Sequence, residues 1–162
     1  MNRMTLKTEG DRNILVTRHF SAPPELVYRA HIEPELIRQW MLGPEGWSMP
    51  VCINDPRPGG KFRYEWSNGK GASFYITGEC IALEPYHRIV HVERMHLPDP
   101  TPDNHVETTF EPDGDGTLMT IRMSLPDSKT RAAMLETGME HGMEASYQRL
   151  DQIAASGQHA NV

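Results

Sequence analysis

The hydrophobic pattern changes its period along this 162-residue chain, and that change is the strongest constraint on its fold. From Trp47 to Leu125, apolar and polar residues tend to alternate, as they do in strands with one buried face. The segment Lys61–Trp66 alternates charged and aromatic residues at every position. After Pro126, apolar residues recur at helical spacing. Strands and helices in separate blocks indicate an α+β fold.

The region before Trp47 predicts one strand followed by two short helices. Asn13–Phe20 is rich in β-branched and apolar residues and is predicted as the first strand. Ser21 is predicted to cap a helix that has two prolines in its first turn. Pro34 would interrupt a continuous helix, so we predict a second short helix from there to Trp40.

The alternating region predicts five or six antiparallel strands, and the last region predicts one long helix. Besides Lys61–Trp66, strands are predicted at Phe74–Leu83, Arg88–Arg94, Val106–Glu111 and Met119–Leu125, with a hairpin at Asp113–Gly116. The helix has one apolar stripe of about 25 residues. Gly138 and Gly142 lie on or beside it, and each costs about 1 kcal/mol relative to alanine. We therefore expect a close approach that requires small side chains there.

Composition limits the class of protein. The length predicts a single domain over residues 1–162. Apolar residues make up 38% of the chain. No continuous apolar segment approaches the roughly 20 residues that a membrane-spanning helix needs. The formal charge of −6 argues against nucleic acid or an anionic membrane as the main partner.

The two cysteines, Cys52 and Cys80, match no metal-binding spacing. The first ten residues contain no apolar segment of a secretory signal. Unpaired thiols without a signal predict a reducing, cytoplasmic location. A single disulfide between the two cysteines is the alternative.

An aromatic set and a set of methionines are the candidate ligand-binding residues. Phe62, Tyr64 and Trp66 share one predicted strand face, and Met139, Met143 and Tyr147 share one helix face. Two interpretations stay open: an ordinary solid core, and a groove lined by adaptable methionines and aromatic rings. The full candidate set is Trp40, Trp47, Phe62, Tyr64, Trp66, Ile76, Thr108, Phe110, Met139, Met143 and Tyr147.

No metal site is predicted from the histidines. His87 and His91 are four residues apart, which on a strand separates them by about 13 Å, too far to share an ion. Val90 and Val92 favour burial of the face opposite to His91 and Glu93. We therefore expect these histidines to lie mostly on the surface.

No catalytic residue and no cofactor is predicted. The chain has neither a G-x-S-x-G nor an H-E-x-x-H motif. General acid–base chemistry needs only one or two polar residues in a cavity. The candidates for it are Tyr64, Tyr75, Thr108, Arg94 and His91.

An acidic row lies on the last predicted helix. Glu136, Glu140 and Glu144 are spaced four residues apart and are expected to form a solvated face. The row is also a pattern that would suit contact with a chaperone or another partner.

Several short segments, in order, resemble one known family. They are Val16–Arg18, Phe20–Pro23, Leu26–Tyr28, Trp40, Asp55–Phe62, Gly78–Glu79, Glu84–Pro85, Arg88–Val90 and Gly138–Met139 running to Leu150. The chain resembles the SRPBCC superfamily (START and birch-allergen-like proteins) and, within it, the homologues of the activator of heat shock protein 90 ATPase. The resemblance covers about residues 12–156.

The resemblance implies a helix-grip fold, in which a curved antiparallel sheet wraps around a long C-terminal helix and a cavity lies between them. It implies that the cavity holds a small apolar or amphipathic molecule. Together with the aromatic strand and the methionine-rich helix stripe, it leads us to expect a protein that binds a small apolar or aromatic molecule without enzymatic activity, as a monomer or homodimer. One alternative is a stress-related chaperone partner or ATPase activator. Another is a cyclase or lyase that uses the same cavity.

Overall fold

One eight-stranded antiparallel sheet and four helices make up the computed structural model, which describes residues 2–97 and 99–156. The elements are β1 (Thr5–Glu9), β2 (Asn13–Phe20), α1 (Pro24–Ile32), α2 (Pro34–Trp40), β3 (Ser48–Asn54), β4 (Lys61–Ser67), β5 (Ser73–Glu84), β6 (Arg88–His96), β7 (Asn104–Asp113), β8 (Gly116–Ser124), α3 (Ser128–Glu136) and α4 (Met139–Ser156). The strand order is β1-β2-β8-β7-β6-β5-β4-β3. The sheet curves around α4, so the predicted α+β helix-grip architecture is confirmed.

The predicted first strand is in fact the second, so the two short helices follow a hairpin. Strand β1 pairs antiparallel with β2, from Thr5 opposite Thr17 to Glu9 opposite Asn13. Four of its five residues are exposed, so it carries no alternating apolar signal. Its position is set by the ladder of backbone hydrogen bonds along the edge of the sheet.

The C-terminal helix is not continuous, contrary to the single long helix that the apolar stripe predicted. It breaks between α3 and α4 at Gly138, whose φ of +73° lies in the left-handed region that favours glycine. Helix α3 has its own cap, because the Asp127 side chain accepts a hydrogen bond from the Thr130 amide at 2.7 Å. The predicted cap of α1 is also wrong, since Pro23 rather than Ser21 occupies that position.

A buried arginine joins α4 to the sheet. The Arg18 side chain on β2 is fully buried and donates two hydrogen bonds to Glu144, at 3.1 and 3.0 Å. It donates a third, at 2.7 Å, to Asp151. Burial alone would raise the pKa of the Glu144 carboxyl, but hydrogen bonds from Arg18 and the Met4 amide lower it. Glu144 is therefore not part of a solvated acidic row, contrary to the expectation for Glu136, Glu140 and Glu144.

Helices α1 and α2 are joined through Trp40 and His31. The Trp40 indole N–H donates to the Ala30 carbonyl at 2.9 Å, and the His31 ring lies 4.9 Å from the Trp40 ring. Because a carbonyl only accepts, His31 Nδ1 carries the proton in its 2.7 Å hydrogen bond to the Val27 oxygen. Burial lowers the pKa of His31 to about 4, and the Val27 hydrogen bond opposes this only in part.

We predict that Arg18→Met destabilises the protein by about 3 kcal/mol or more, because it leaves Glu144 and Asp151 near the core without their cation. The matched control is Arg94→Met, which removes an exposed partner of Asp103 and should leave stability almost unchanged. Denaturant unfolding measures both. Equal losses in the two variants would contradict the anchoring role of Arg18.

The two glycines of the C-terminal region should respond to alanine in opposite directions. Gly138→Ala places a side chain at positive φ and should cost about 1 kcal/mol. A Cβ on Gly142 would meet nothing nearer than Pro44 Cδ at 3.5 Å, an ordinary contact. Gly142→Ala should therefore stabilise the helix by about 0.5–1 kcal/mol. Thermal unfolding of both variants tests this, and destabilisation by Gly142→Ala would contradict it.

We predict that His31 weakens the fold in mild acid. Between about pH 6.5 and 4 the unfolded chain binds a proton at His31 that the folded protein does not. The free energy of unfolding therefore falls with falling pH, by up to about 1.4 kcal/mol per pH unit. His31→Gln should remove this part of the slope, whereas His141→Gln, at an exposed position, should keep it. Identical slopes in wild type and His31→Gln would contradict the assignment.

Candidate functional site

A cavity of about 500 Å³ lies between the concave face of the sheet, α4 and the segment that joins α2 to β3. Ten of the eleven residues predicted from the sequence lie in its wall: Trp40, Trp47, Phe62, Tyr64, Trp66, Ile76, Thr108, Met139, Met143 and Tyr147. The exception is Phe110, which is buried in the neighbouring core, with its ring edge-on to Tyr28 and 5.2 Å from the His31 ring. Phe110 shares a buried face of β7 with Thr108, but only Thr108 lies in the cavity wall.

The aromatic residues of β4 form a continuous apolar wall. Phe62, Tyr64 and Trp66 alternate along the strand, so all three face the cavity, with ring centroids 5.2 and 6.1 Å apart. The Trp66 indole N–H donates to the Met41 carbonyl at 2.8 Å, and the ring stacks on Phe74. The polar atom of Trp66 is thus satisfied by backbone.

Gly78 on β5 makes room for the Phe62 ring. The two residues are paired in the sheet, and a Cβ on Gly78 would lie 2.2 Å from Phe62 Cζ and 2.4 Å from the Val92 carbonyl oxygen. The ring therefore occupies the volume that any larger residue at position 78 would need. Sequence reasoning noted Gly78 only as part of the family resemblance.

Helix α4 supplies the opposite wall. Met139, Met143 and Tyr147 are spaced four residues apart and project from one helix face. The Tyr147 ring stacks on Trp40 at 5.8 Å and meets Phe20 edge-on. Burial raises the pKa of the Tyr147 hydroxyl, which therefore stays protonated.

His91 and Glu93 face the cavity, contrary to the prediction that they lie on the outer surface. His91 is paired with Cys80 and with Val106, which both line the cavity, and cross-strand partners share a face. Val90 lies on the opposite face of β6. Since a carboxylate only accepts, His91 Nε2 donates to Glu93 Oε1, at 2.7 Å. The register of β6, which the valines do not reveal, determines this orientation.

The five candidates for acid–base chemistry divide between the two faces of the sheet. Tyr64, Thr108 and His91 line the cavity. Tyr75 lies outside it, beneath the Arg63 guanidinium at 4.0 Å, and Arg94 pairs with Asp103. Burial raises the pKa of Tyr64, and no described residue hydrogen-bonds to its hydroxyl.

His31 also lies in the cavity wall and was not predicted from the sequence. Its helical spacing from Val27 is the signal that could have indicated its orientation.

The cysteines bear on a further prediction from the sequence, the alternative of a disulfide. Cys52 and Cys80 are free thiols, on β3 and β5, so the alternative of a disulfide is wrong. Over residues 2–97 and 99–156, no group of three or more His, Cys, Asp or Glu side chains could hold a metal ion. No helix in the same ranges is long and apolar enough to cross a membrane.

Solved structures share this architecture across almost the whole chain. A protein from Rhodobacter sphaeroides is 27% identical, with a TM-score of 0.89, over 95% of this chain and 99% of its own. One from Chromobacterium violaceum is 28% identical, with a TM-score of 0.73, over 88% of this chain and 96% of its own. DynU16, from the dynemicin biosynthetic locus, is 21% identical with a TM-score of 0.66, over 91% of this chain and 49% of its own, which shows a shared fold alone.

No curated protein matches the chain. Residues 21–155, however, match the family described as Activator of Hsp90 ATPase homolog 1-like protein. This match spans β3–β8 and all four helices. The chain therefore belongs to the Activator of Hsp90 ATPase homolog 1-like family, of the SRPBCC type.

Proposed function

We propose that this protein binds a small apolar or aromatic molecule in the cavity between the sheet and α4. The observation that carries the proposal is the composition of the cavity wall, which includes all three tryptophans of the chain. The volume of about 500 Å³ falls within the range of small-molecule sites, about 300–1,000 Å³. An apolar ligand would remove these aromatic surfaces from water, worth about 25 cal/mol per Å².

The methionines of the wall support a site that adapts to its ligand. Methionine is flexible and polarisable, and it packs well against aromatic rings. Five of the ten methionines of the chain line the cavity, namely Met41, Met95, Met123, Met139 and Met143. Such a wall suits a molecule of irregular shape held mainly by apolar contact.

A second candidate function is an enzyme of the cyclase or lyase type that uses the same cavity. The hydrogen-bonded pair of His91 and Glu93, with Thr108 also in the wall, favours it, because acid–base chemistry needs such groups within reach of a bound molecule. The test is mass analysis of a molecule extracted from the purified protein, before and after incubation with fresh protein. Because a ring closure can leave the mass unchanged, the chromatographic retention time is compared as well. A molecule unchanged in both supports binding alone, and a product supports the enzyme.

We also propose that the protein associates with a chaperone and that it is located in the cytoplasm. The first is supported by the family, and the second by the two free thiols, which suit a reducing compartment. The acidic row supports association with a chaperone only through Glu136 and Glu140, because Glu144 forms an ion pair with Arg18.

We predict that N-phenyl-1-naphthylamine, a neutral aromatic probe, binds with one saturable site and changes the tryptophan fluorescence of the protein. Gly142 borders the cavity, so Gly142→Leu places four carbons at its wall and should weaken binding about tenfold, a loss of about 1.4 kcal/mol. Gly142→Ala is the matched control and should bind as wild type does.

Two results would contradict the proposed function. One is the absence of a saturable fluorescence change in wild type. The other is equal affinity in the leucine and alanine variants, with both shown to be folded by circular dichroism, because the probe would then lie outside the cavity.

A further inference from the structure

The polar groups of the cavity are not distributed at random. Glu93 is the one carboxylate among the wall residues of the described chain, and no lysine or arginine accompanies it. Elsewhere on the sheet, acidic side chains pair with arginine, as Glu65 does with Arg63 and Glu107 does with Arg88. A carboxylate that faces an apolar cavity without a permanent cation is costly to desolvate. Such a local conflict with packing is expected where a residue serves a function.

Glu93 keeps most of its hydrogen-bonding capacity. A carboxylate can accept about four hydrogen bonds, and within the described structure the only one to Glu93 comes from His91. His91 is itself held in place, because the Phe62 ring meets it edge-on at 5.3 Å. The pair therefore presents acceptor oxygens from a fixed position.

A second acceptor belongs to the same cavity. The neutral ring of His31 uses Nδ1–H for the Val27 carbonyl, which leaves Nε2 as an acceptor without a described partner. Tyr64 and Tyr147 line the same cavity, and the charge of Glu93 adds to the effect of burial in raising the pKa of both hydroxyls.

We propose that Glu93, oriented by His91, anchors the hydrogen-bond-donating end of the ligand, a hydroxyl or an ammonium group, and discriminates against anionic ligands. This deepens the proposed function and rests on it. No lysine or arginine lines the described cavity wall, so a ligand carboxylate would have no permanent cation to compensate it there. A ligand hydroxyl or ammonium group, in contrast, would donate a hydrogen bond to a carboxylate oxygen of Glu93. Hydrogen bonds to charged groups are among the stronger hydrogen bonds in proteins.

The experiment compares four ligands that share one ring system: naphthalene, 2-naphthol, 2-naphthylmethylamine and 2-naphthoic acid. Their dissociation constants for the full chain at pH 7 are measured by equilibrium dialysis. Wild type should bind naphthol or the amine at least about tenfold more tightly than naphthoate, as expected for a hydrogen bond to a charged group. The naphthol and amine arms distinguish a neutral donor from a cationic one.

Two substitutions separate the contribution of Glu93 to binding from the contribution of the apolar cavity wall. Glu93→Gln keeps the shape and should reduce the preference for naphthol or the amine over naphthoate at least about threefold relative to wild type, with naphthalene affinity unchanged. The preference that remains reflects the cost of moving a carboxylate into an apolar cavity. Glu79→Gln, on the outer face of β5 beside Lys61, is the matched control and should preserve the preference. Circular dichroism establishes that both are folded, and the order of affinities in wild type tests the charge preference without any variant.

Two outcomes would contradict the proposal, and they distinguish failure of the anchor from failure of the proposed function. If naphthalene binds but naphthoate binds as tightly as naphthol and the amine, or if Glu93→Gln keeps the wild-type preference, the anchor is wrong and the apolar site stands. If none of the four ligands binds, the proposed function itself is wrong and the anchor falls with it.

Discussion

The buried guanidinium of Arg18 holds α4 against the sheet, and the cavity depends on that attachment. Arg18 reaches two carboxylates of the helix, and its charge also lies 5.0 Å from the Phe20 ring and 5.9 Å from the Tyr147 ring. Three hydrogen bonds with defined directions fix the helix in a way that apolar contact alone does not. The face of α4 that lines the cavity is therefore set by a contact that Glu144 and Asp151 make on a neighbouring face of the same helix.

The cavity lies where two separate apolar clusters of the core meet. One cluster is centred on β2, β8 and α1 and includes Leu150 and Ile153 of α4. The other is centred on the β4 aromatics and includes Ile37 and Met49. The two clusters pack internally, and the cavity is the space that they leave between them. This arrangement explains how a chain with only 38% apolar residues has both a core and an internal apolar volume.

Periodicity was sufficient to predict most of the sheet, because a strand with one buried face records its orientation in every second residue. It failed where that signal is absent or misleading. Four of the five residues of the edge strand Thr5–Glu9 are exposed, and a break at one glycine does not interrupt an apolar stripe. On β6, Val90 and Val92 suggested the wrong buried face, which placed His91 and Glu93 outside. Most residues of the apolar wall could thus be predicted from the sequence, whereas the orientation of His91 and Glu93 toward the cavity required the strand register.

The central claim is that a ligand binds between α4 and the sheet, and the methionines can report on it directly. In a protein labelled with ¹³C at the methionine methyl groups, five methyls line the cavity: Met41, Met95, Met123, Met139 and Met143. Met4, Met49, Met119 and Met134 lie outside its wall and serve as internal controls. Titration with N-phenyl-1-naphthylamine should shift the five lining signals and leave those four nearly unchanged. Shifts concentrated on Met4 and Met134, with the cavity methyls unchanged, would contradict the account.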